Sequence, residues 1–337
     1  MTAADRAIVT TLVNDRPQWA RRVRMIDRGA QPAASVTARL VAAGLRGRTL
    51  VLLGSAGFGA RYADLLAAVA VARSPRSPAV VLAECTWEPG SAALARRLRV
   101  GANGGAARLA VRSMDGDHVT YCVLSRAELE LFPRTWGVAP ERVAFTPFTV
   151  TLGSAQLTPP PSLGDAVFAG GNSLRDYGPL LDAAAGIPAP IVLATNRVGP
   201  HVPLARNVRA GLLPRARYVE ELRRARAVVV PLADNRWRSA GQQTYLNAMA
   251  LGKPVVVTDT MGVRDYVEDG VTGLVVAPGD PRAMGEAVRW VLDPANAPAV
   301  AAIGERARRT VRERFTLDRY LARLLEVASA TVARRAG

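Results

Sequence analysis

The feature that most constrains this chain is the alternation of short hydrophobic runs with longer segments of helical period. The runs are rich in Val, Leu and Ala and lie at 49–54, 79–84, 119–125, 166–171, 190–195, 227–232, 253–259 and 272–278. Ala-, Leu- and Arg-rich stretches separate them. This alternation is typical of βαβ units, in which parallel strands are covered by helices. We therefore predict an α/β fold with two doubly wound, Rossmann-like parallel sheets, one in each half of the chain.

The boundary between the halves is marked by prolines. The segment LTPPPSLGD, at 157–165, holds three consecutive prolines, which fit neither a helix interior nor a central strand. A chain of 337 residues is long enough for two domains. We predict an N-terminal domain at 1–157, a second domain at 158–315 and a C-terminal helix at 316–337 that packs back on the first domain.

The charge of the chain favours an anionic partner. The 44 Lys and Arg against 28 Asp and Glu leave a net charge of +16, spread over both halves. Arginine patches in the first half, such as Arg21, Arg22 and Arg24, are candidates for contact with an anionic membrane or a phosphorylated acceptor. Solvated helix faces are the alternative interpretation. Nucleic acid is not expected, because no basic strand is interleaved with aromatic residues.

The cellular location follows from the apolar runs. Each of them is broken before about 18 residues, and the N-terminus has no apolar h-region. We expect a cytoplasmic protein, with peripheral attachment to the inner face of the membrane left open. Two cysteines and two histidines argue against a structural zinc site, and no cofactor is expected.

A glycine turn in the second half is the first candidate site. The strand at 166–171 ends in Gly170 and Gly171 and continues into Asn172, Ser173 and Arg175 ahead of a helix. Glycines let the backbone approach a ligand, helix N-termini attract anions, and an arginine pairs with phosphate. The turn therefore suits a diphosphate. An ordinary strand-to-helix turn is the alternative.

A second candidate site follows the strand at 227–232. A helix begins there with the consecutive residues Ser239, Ala240, Gly241, Gln242 and Gln243, and its first turn can bind an anion. Asn247 lies eight residues after Ser239, about two helical turns, so we expect both to face the same ligand. A helix cap at Ser239 and a solvated surface position for Asn247 are the alternative. After the strand at 190–195, Asn196 and Arg197 are candidates for contact with a nucleotide base, with a plain surface loop as the alternative.

The first half offers two further segments at strand ends. Gly57, Phe58 and Gly59 follow the strand at 49–54, but the spacing G-x-x-G-x-G differs from the dinucleotide fingerprint, so NAD binding is not inferred. We instead expect this loop near the donor phosphate or the acceptor. Glu84, Trp87 and Glu88 end the next strand. An indole between carboxylates suits a sugar or polyol surface; the alternative places Trp87 in the core.

Longer segments resemble a known family. LNAMALGKPVVVTDTMGVRDYVEDGVTGLVVAPGDPRAM resembles the donor-binding half of family 4 glycosyltransferases. VLSRAELELFPRTWGVAPERVAFTPF is similar to the segment before the family's interdomain linker, and GGNSLRDYGPLLDA to its glycine turn. The resemblance covers residues 119–330 well and the first hundred residues only in broad layout. The order of the pieces makes it specific.

The resemblance implies a GT-B fold, in which two Rossmann-like domains face a central cleft and the C-terminal domain binds the nucleotide sugar. It implies a metal-independent transferase that retains the anomeric configuration and takes, by frequency in the family, a UDP-sugar. Arg175 matches the family's basic residue that neutralises the leaving diphosphate. Glu84 or Glu88 becomes the candidate general base if the chemistry inverts the configuration. The acceptor remains open among glycans, lipids and small metabolites.

The chain departs from the family at two positions. Ser239 and Asn247 stand where the family has two glutamates, so the usual contacts with the donor sugar and the ribose lose their charge assistance. A non-catalytic nucleotide-sugar-binding homologue or partner subunit is therefore one alternative function. A basic protein that binds nucleic acid or a membrane surface is another.

Overall fold

The computed structural model describes residues 7–29, 31–55, 62–74, 77–89, 105–158 and 164–336. The chain divides into two compact units. The N-terminal unit comprises Met1–Pro147 and Asp318–Gly337, and the C-terminal unit comprises Phe148–Leu317. Gly57, Phe58 and Gly59 lie outside the described residues, so their predicted role stays a prediction.

The N-terminal unit contains a six-stranded parallel sheet. Its strands are β1 (Ile8–Thr10), β2 (Val23–Met25), β3 (Thr49–Leu53), β4 (Val80–Ala83), β5 (Val119–Val123) and β6 (Val143–Phe145). The helices described in it are α1 (Pro17–Ala20), α2 (Ala33–Leu45), α3 (Tyr62–Ala72), α4 (Gly105–Met114), α5 (Glu128–Trp136) and the C-terminal α12 (Leu317–Ala336). The strand order is β2-β1-β3-β4-β5-β6.

The C-terminal unit contains the second six-stranded parallel sheet. Its strands are β7 (Val167–Gly170), β8 (Ile191–Ala194), β9 (Val208–Gly211), β10 (Ala227–Val230), β11 (Val255–Thr258) and β12 (Leu274–Val276). The helices described in it are α6 (Ser154–Leu157), α7 (Gly178–Ala183), α8 (Arg215–Arg224), α9 (Gln242–Ala250), α10 (Pro281–Leu292) and α11 (Ala297–Arg314). The strand order is β12-β11-β10-β7-β8-β9.

Burial explains why the central strands are apolar at every position. In β10, Ala227 and Val229 belong to one hydrophobic core, while Val228 and Val230 belong to the core on the opposite face of the sheet. All four side chains are fully buried. A parallel sheet covered by helices on both faces needs such uninterrupted apolar runs. The prediction of doubly wound parallel sheets is therefore confirmed.

All eight predicted strands are present, and four others were missed. The missed strands are β1, β2, β6 and β9, which have three or four residues each. Two of them carry an exposed arginine in the middle of a short run, Arg24 in β2 and Arg209 in β9. Runs of three or four residues are too short to show whether their hydrophobic residues repeat with the period of a strand or of a helix. Pairing with a neighbouring strand therefore decides their conformation.

The division between the units falls earlier in the chain than the prolines suggest. The N-terminal unit ends at Pro147, whereas the predicted boundary lies at 157/158. The intervening segment is held by the C-terminal unit: Val150 N donates to Phe315 O at 3.0 Å, and Phe148 N donates to the Tyr266 hydroxyl at 2.9 Å. Tertiary hydrogen bonds of this kind leave no local mark in the sequence.

Helix α12 returns to the N-terminal unit. The Thr331 and Thr120 hydroxyls are 2.6 Å apart, and Arg334 Nη2 donates to Val119 O at 2.6 Å. The apolar stripe of the helix, which includes Leu321 and Leu324, is buried. Within the described part of the chain, none of the helices combines the length and the apolar character that crossing a membrane requires.

Candidate functional site

The strand order of the C-terminal unit locates a switch point between β7 and β10, because the chain leaves these neighbouring strands in opposite directions across the sheet. Open α/β sheets bind ligands at the carboxyl ends of the strands at such a point. The loops that follow the two strands are bonded to each other there. Asp176 N donates to Pro231 O, and Ala233 N donates to Leu174 O, each at 3.1 Å.

The turn after β7 has a backbone that most side chains would not allow. A Cβ on Gly170 would lie 2.5 Å from Cε2 of Tyr218, and Gly171 has a φ of +116°. Leu174 adopts a φ of +49° although it is not glycine. Left-handed conformations of such residues cost free energy and cluster at functional sites. Among the described non-glycine residues, Glu84 is the other one with a positive φ, and it also follows a strand.

The guanidinium of Arg175 is fixed by three acceptors. Nε donates to Gly170 O at 3.3 Å, Nη1 to Ser173 O at 2.8 Å and Nη2 to the Thr244 hydroxyl at 3.1 Å. The side chain is partly exposed, and no carboxylate pairs with it among the described residues. Burial lowers the pKa of Arg175, yet an arginine keeps its charge at neutral pH. Within the described part of the chain, the turn therefore presents a positive charge without a carboxylate partner.

The residues predicted after β7 and β8 do come together. Asn172 Oδ1 accepts hydrogen bonds from the Thr195 hydroxyl at 2.7 Å and from Asn196 N at 3.0 Å. Arg197 Nε donates to Asn172 O at 2.8 Å. Asn172, Asn196 and Arg197 thus form one polar, solvent-facing edge beside the glycine turn, although the base contact predicted for it is untested.

The start of α9 offers backbone donors to the same region. Gly241 adopts a φ of +91° immediately before the helix, where a side chain would be strained. The N–H groups of Gly241, Gln242 and Gln243 have no acceptor among the described residues. Such groups at a helix start attract anions. Phosphate is the ligand that they suit.

Ser239 and its neighbours are less available than the sequence suggests. Ser239, Ala240 and Gln242 are buried, with 1%, 8% and 5% of their surface exposed. The Ser239 hydroxyl accepts a hydrogen bond from Gln242 Nε2 at 2.7 Å. The side chains of Ser239 and Gln242 therefore bond each other, and the backbone N–H groups of this segment become its better candidates for ligand contact.

Asn247, whose contact with a ribose stays a prediction, makes hydrogen bonds within the protein. Its Nδ2 donates to the Thr151 hydroxyl at 2.9 Å, and its Oδ1 accepts from Thr151 N at 2.9 Å. The side chain is buried. Asn247 therefore holds the segment that enters the C-terminal unit, while Gln243, which is exposed, also donates to the Thr151 hydroxyl at 3.2 Å.

We expect Asn247→Ala to lower the free energy of unfolding by about 1–3 kcal/mol, because Thr151 N would lose its buried acceptor. Nucleotide affinity should change less than twofold. Urea denaturation and a nucleotide titration of the same preparation measure both quantities. A large loss of affinity with unchanged stability would return Asn247 to the binding site.

Of the residues predicted to contact the acceptor in the N-terminal unit, Trp87 lies in the hydrophobic core. Trp87 is only 7% exposed, its Nε1 donates to Gly54 O, and its ring packs against Tyr121, Phe132 and Trp136. The indole is therefore a core residue, which is the second of the two interpretations that the sequence left open. The indole fills the space on which these three aromatic rings converge.

Glu84 and Glu88 remain partly exposed at the end of β4. Glu84 has a φ of +58°, and its carboxylate accepts a hydrogen bond from the Tyr320 hydroxyl at 3.0 Å. Tyr320 belongs to α12, so a residue near the end of the chain orients a carboxylate of the first half. Sequence reasoning missed Tyr320, because 236 positions separate it from Glu84.

Sequence reasoning also missed Arg238 and Thr244. Both lie in the segment already selected at 239–247 or next to it, so closeness to Ser239 was the available signal. Across the described ranges there is no group of three or more His, Cys, Asp or Glu side chains that could hold a metal ion. Asp115 and Asp117 both pair with Arg142.

The comparisons with known proteins agree with this architecture. Residues 193–294, which run from β8 to just beyond α10, match the family model described as "Glycosyl transferases group 1". No curated protein sequence matches the chain. The family match includes Arg197, Arg238 and the start of α9, whereas the glycine turn precedes it.

Solved structures extend the structural similarity to more than nine tenths of the chain. A glycosyltransferase from Rickettsia africae has a TM-score of 0.62 at 10% identity, over 96% of this chain and 90% of that chain. Anabaena Alr3699/HepE in complex with UDP-glucose has a TM-score of 0.62 at 15% identity, over 93% and 87%. Sucrose-phosphate synthase from Thermosynechococcus elongatus has a TM-score of 0.61 at 16% identity, over 92% and 81%. The two sheets of this chain are thus those of the GT-B fold, as predicted.

Proposed function

We propose that this protein is a glycosyltransferase that moves a sugar from a nucleotide-diphosphate sugar, a UDP-sugar in the first instance, to a hydroxyl group of an acceptor. The observation that carries the proposal is Arg175, a guanidinium without a carboxylate partner among the described residues, at the switch point of the second sheet. The family match at 193–294 and the likeness to a UDP-glucose complex support it.

The diphosphate would bind between Arg175 and the start of α9. The N–H groups of Gly241, Gln242 and Gln243 and the guanidinium supply charge-assisted hydrogen bonds to phosphate oxygens. Asn172, Ser173, Asn196 and Arg197 line the neighbouring edge, where the nucleoside would lie. These donors are held by the fold before the ligand arrives, so little free energy is spent on reorganisation when charge develops.

The transfer would proceed with retention of configuration. The bond between the anomeric carbon and the diphosphate oxygen breaks, and its electron pair leaves with the nucleoside diphosphate. The acceptor oxygen forms the new glycosidic bond on the same face, and its proton passes to the departing phosphate oxygen. In this scheme Arg175 stabilises the leaving group, and a bound metal is not required.

The Glu84 carboxylate is an alternative group that could accept the proton of the acceptor hydroxyl. This carboxylate, fixed by Tyr320, could serve as general base if the configuration is inverted. The anomeric configuration of the product, read by NMR, separates the two schemes. If the configuration is retained, Glu84 can only help to bind the acceptor. If it is inverted, Glu84 is the general base, and the acceptor proton does not pass to the departing phosphate.

The first test of the function is thermal unfolding in the presence of UDP, GDP, ADP and dTDP, each with and without Mg²⁺. A ligand at about 100 times its dissociation constant adds about 2.7 kcal/mol of stability. We expect UDP to raise the midpoint equally with Mg²⁺ and with EDTA. If none of the four nucleotides raises it, the transferase proposal fails.

Turnover separates the transferase from a non-catalytic binder. Release of UDP from a UDP-sugar by the purified protein, increased by an added acceptor, supports the enzyme. Nucleotide binding without any turnover across glycan, lipid and small-metabolite acceptors favours a partner subunit. Equal, steeply salt-dependent binding to DNA and to vesicles without a response to nucleotides would favour the basic binding protein instead.

We also propose that the N-terminal unit contacts an anionic membrane, because one groove on it is lined by arginines. In the N-terminal unit a groove of about 540 Å³ is lined by Arg24, Arg39, Arg46 and Arg48 over an aliphatic floor that includes Ile26. Guanidinium groups around an apolar floor suit an anionic lipid. Sedimentation with phosphatidylglycerol vesicles but not with phosphatidylcholine vesicles is the expected result, and equal sedimentation with both would exclude it.

A further inference from the structure

We propose that Arg238 is a second phosphate-binding residue of the donor site, which with Arg175 neutralises the leaving diphosphate. The inference rests on the proposed function and deepens it, because it assigns the second cation to a different loop from the first. Arg175 follows β7, whereas Arg238 lies in the loop between β10 and α9.

Ser173 brings the two arginines together. Arg175 Nη1 donates to Ser173 O at 2.8 Å, while Arg238 Nη2 donates to the Ser173 hydroxyl at 3.0 Å. Two guanidinium groups that bond to the same residue lie side by side. Arg238 Nη1 also contacts Ser239 O at 3.3 Å, so its orientation is fixed from its own loop as well.

The backbone of the turn supports this arrangement. Leu174, between Ser173 and Arg175, adopts the left-handed conformation at a cost in free energy. Its carbonyl accepts from Ala233 N in the loop that leads to Arg238, and Asp176 N donates to Pro231 O, so the two loops are bonded on both sides of Arg175. The strained residue thus lies where the turn after β7 meets the loop after β10.

Two adjacent positive charges have a consequence for the ligand. Burial lowers the pKa of Arg175, and the nearby charge of Arg238 adds to that shift, as expected for two guanidinium groups that lie close together. A nucleoside diphosphate places its negative charges on two neighbouring phosphates, and a guanidinium binds phosphate oxygens in pairs. One arginine for each phosphate fits this chemistry, so the pair should favour diphosphates over monophosphates.

The experiment is a titration of UDP, UMP and inorganic pyrophosphate against the wild type, Arg238→Gln and Arg236→Gln. Arg236 is an exposed arginine of the same loop and controls for the loss of one positive charge. We expect Arg238→Gln to weaken UDP and pyrophosphate by at least tenfold and UMP by less than threefold. Arg236→Gln should change all three by less than twofold.

The outcomes separate the inference from the function on which it rests. If the wild type binds neither UDP nor pyrophosphate, both fail. If it binds UDP but Arg238→Gln keeps the full preference for UDP over UMP, only the role of Arg238 is overturned. Equal losses for Arg236→Gln and Arg238→Gln would show a diffuse charge effect and overturn it too.

A second variant covers the case in which Arg238→Gln does not fold. Ser173→Ala removes the hydroxyl that receives the Arg238 hydrogen bond and keeps the backbone acceptor of Arg175. We expect it to reduce the preference for UDP over UMP by about threefold, with an unchanged circular dichroism spectrum. An unchanged preference in a folded Ser173→Ala protein would contradict the placement of Arg238 by Ser173.

Discussion

Replacing Arg175 with alanine is expected to lower the rate of sugar transfer by about 10²–10³-fold, the usual cost of losing one group that stabilises the charge of the transition state. Stability should fall far less, by about 1 kcal/mol. The hydrogen bonds that Arg175 makes to Gly170 O, Ser173 O and the Thr244 hydroxyl account for that loss, and removing a charge from beside Arg238 offsets part of it.

Steady-state kinetics with a UDP-sugar and urea denaturation of the same variant measure the two quantities. Arg209→Ala removes an exposed arginine from β9 of the same unit and should leave both unchanged. Arg175→Lys should recover only part of the rate, since an ammonium group cannot reproduce the fork of a guanidinium. Unchanged transfer by Arg175→Ala would exclude Arg175 from catalysis.

Replacing Trp87 with alanine is expected to destabilise the N-terminal unit by about 3–5 kcal/mol, the range for truncating a large buried aromatic residue. The indole fills the space between Tyr121, Phe132 and Trp136, with ring centroids 5.6–6.0 Å apart. Its N–H also satisfies Gly54 O. Alanine would leave a cavity and an unpaired buried carbonyl.

Urea denaturation followed by circular dichroism tests this loss, with Leu109→Ala as the control. Leu109 is 69% exposed on α4, so its truncation should cost no more than about 0.5 kcal/mol. Trp87→Phe should keep the acceptor KM within twofold, because the ring faces the core. A stable Trp87→Ala protein with a strongly raised acceptor KM would restore the predicted sugar surface.

Most of the architecture could be predicted from local patterns in the sequence. Eight strands were predicted because a sheet covered on both faces requires continuous apolar runs, and the helices between them keep a one-sided stripe. The four strands that were missed are too short to show a period. The boundary near Pro147 was missed because the hydrogen bonds of Phe148 and Val150 to the C-terminal unit are tertiary.

The site was only partly accessible in the same way. Gly170, Gly171 and Arg175 were selected correctly as one turn because they are neighbours in the chain, although their contact with a ligand stays a prediction. Asn247 was interpreted as facing a ligand, and Trp87 was left open between a sugar surface and the core. A polar or aromatic side chain serves a core as well as a ligand, and its sequence neighbours do not tell which.

By itself, the sequence determined the two parallel sheets, the strands that end in glycine or polar residues and the positive charge of the chain. These properties depend on residues that are close together along the chain. The tertiary structure decided which of the polar residues face solvent, and it brought Arg238 to Ser173 and Tyr320 to Glu84. Those pairs are separated by 65 and 236 positions, so their contact follows from strand order and helix packing and from no local pattern.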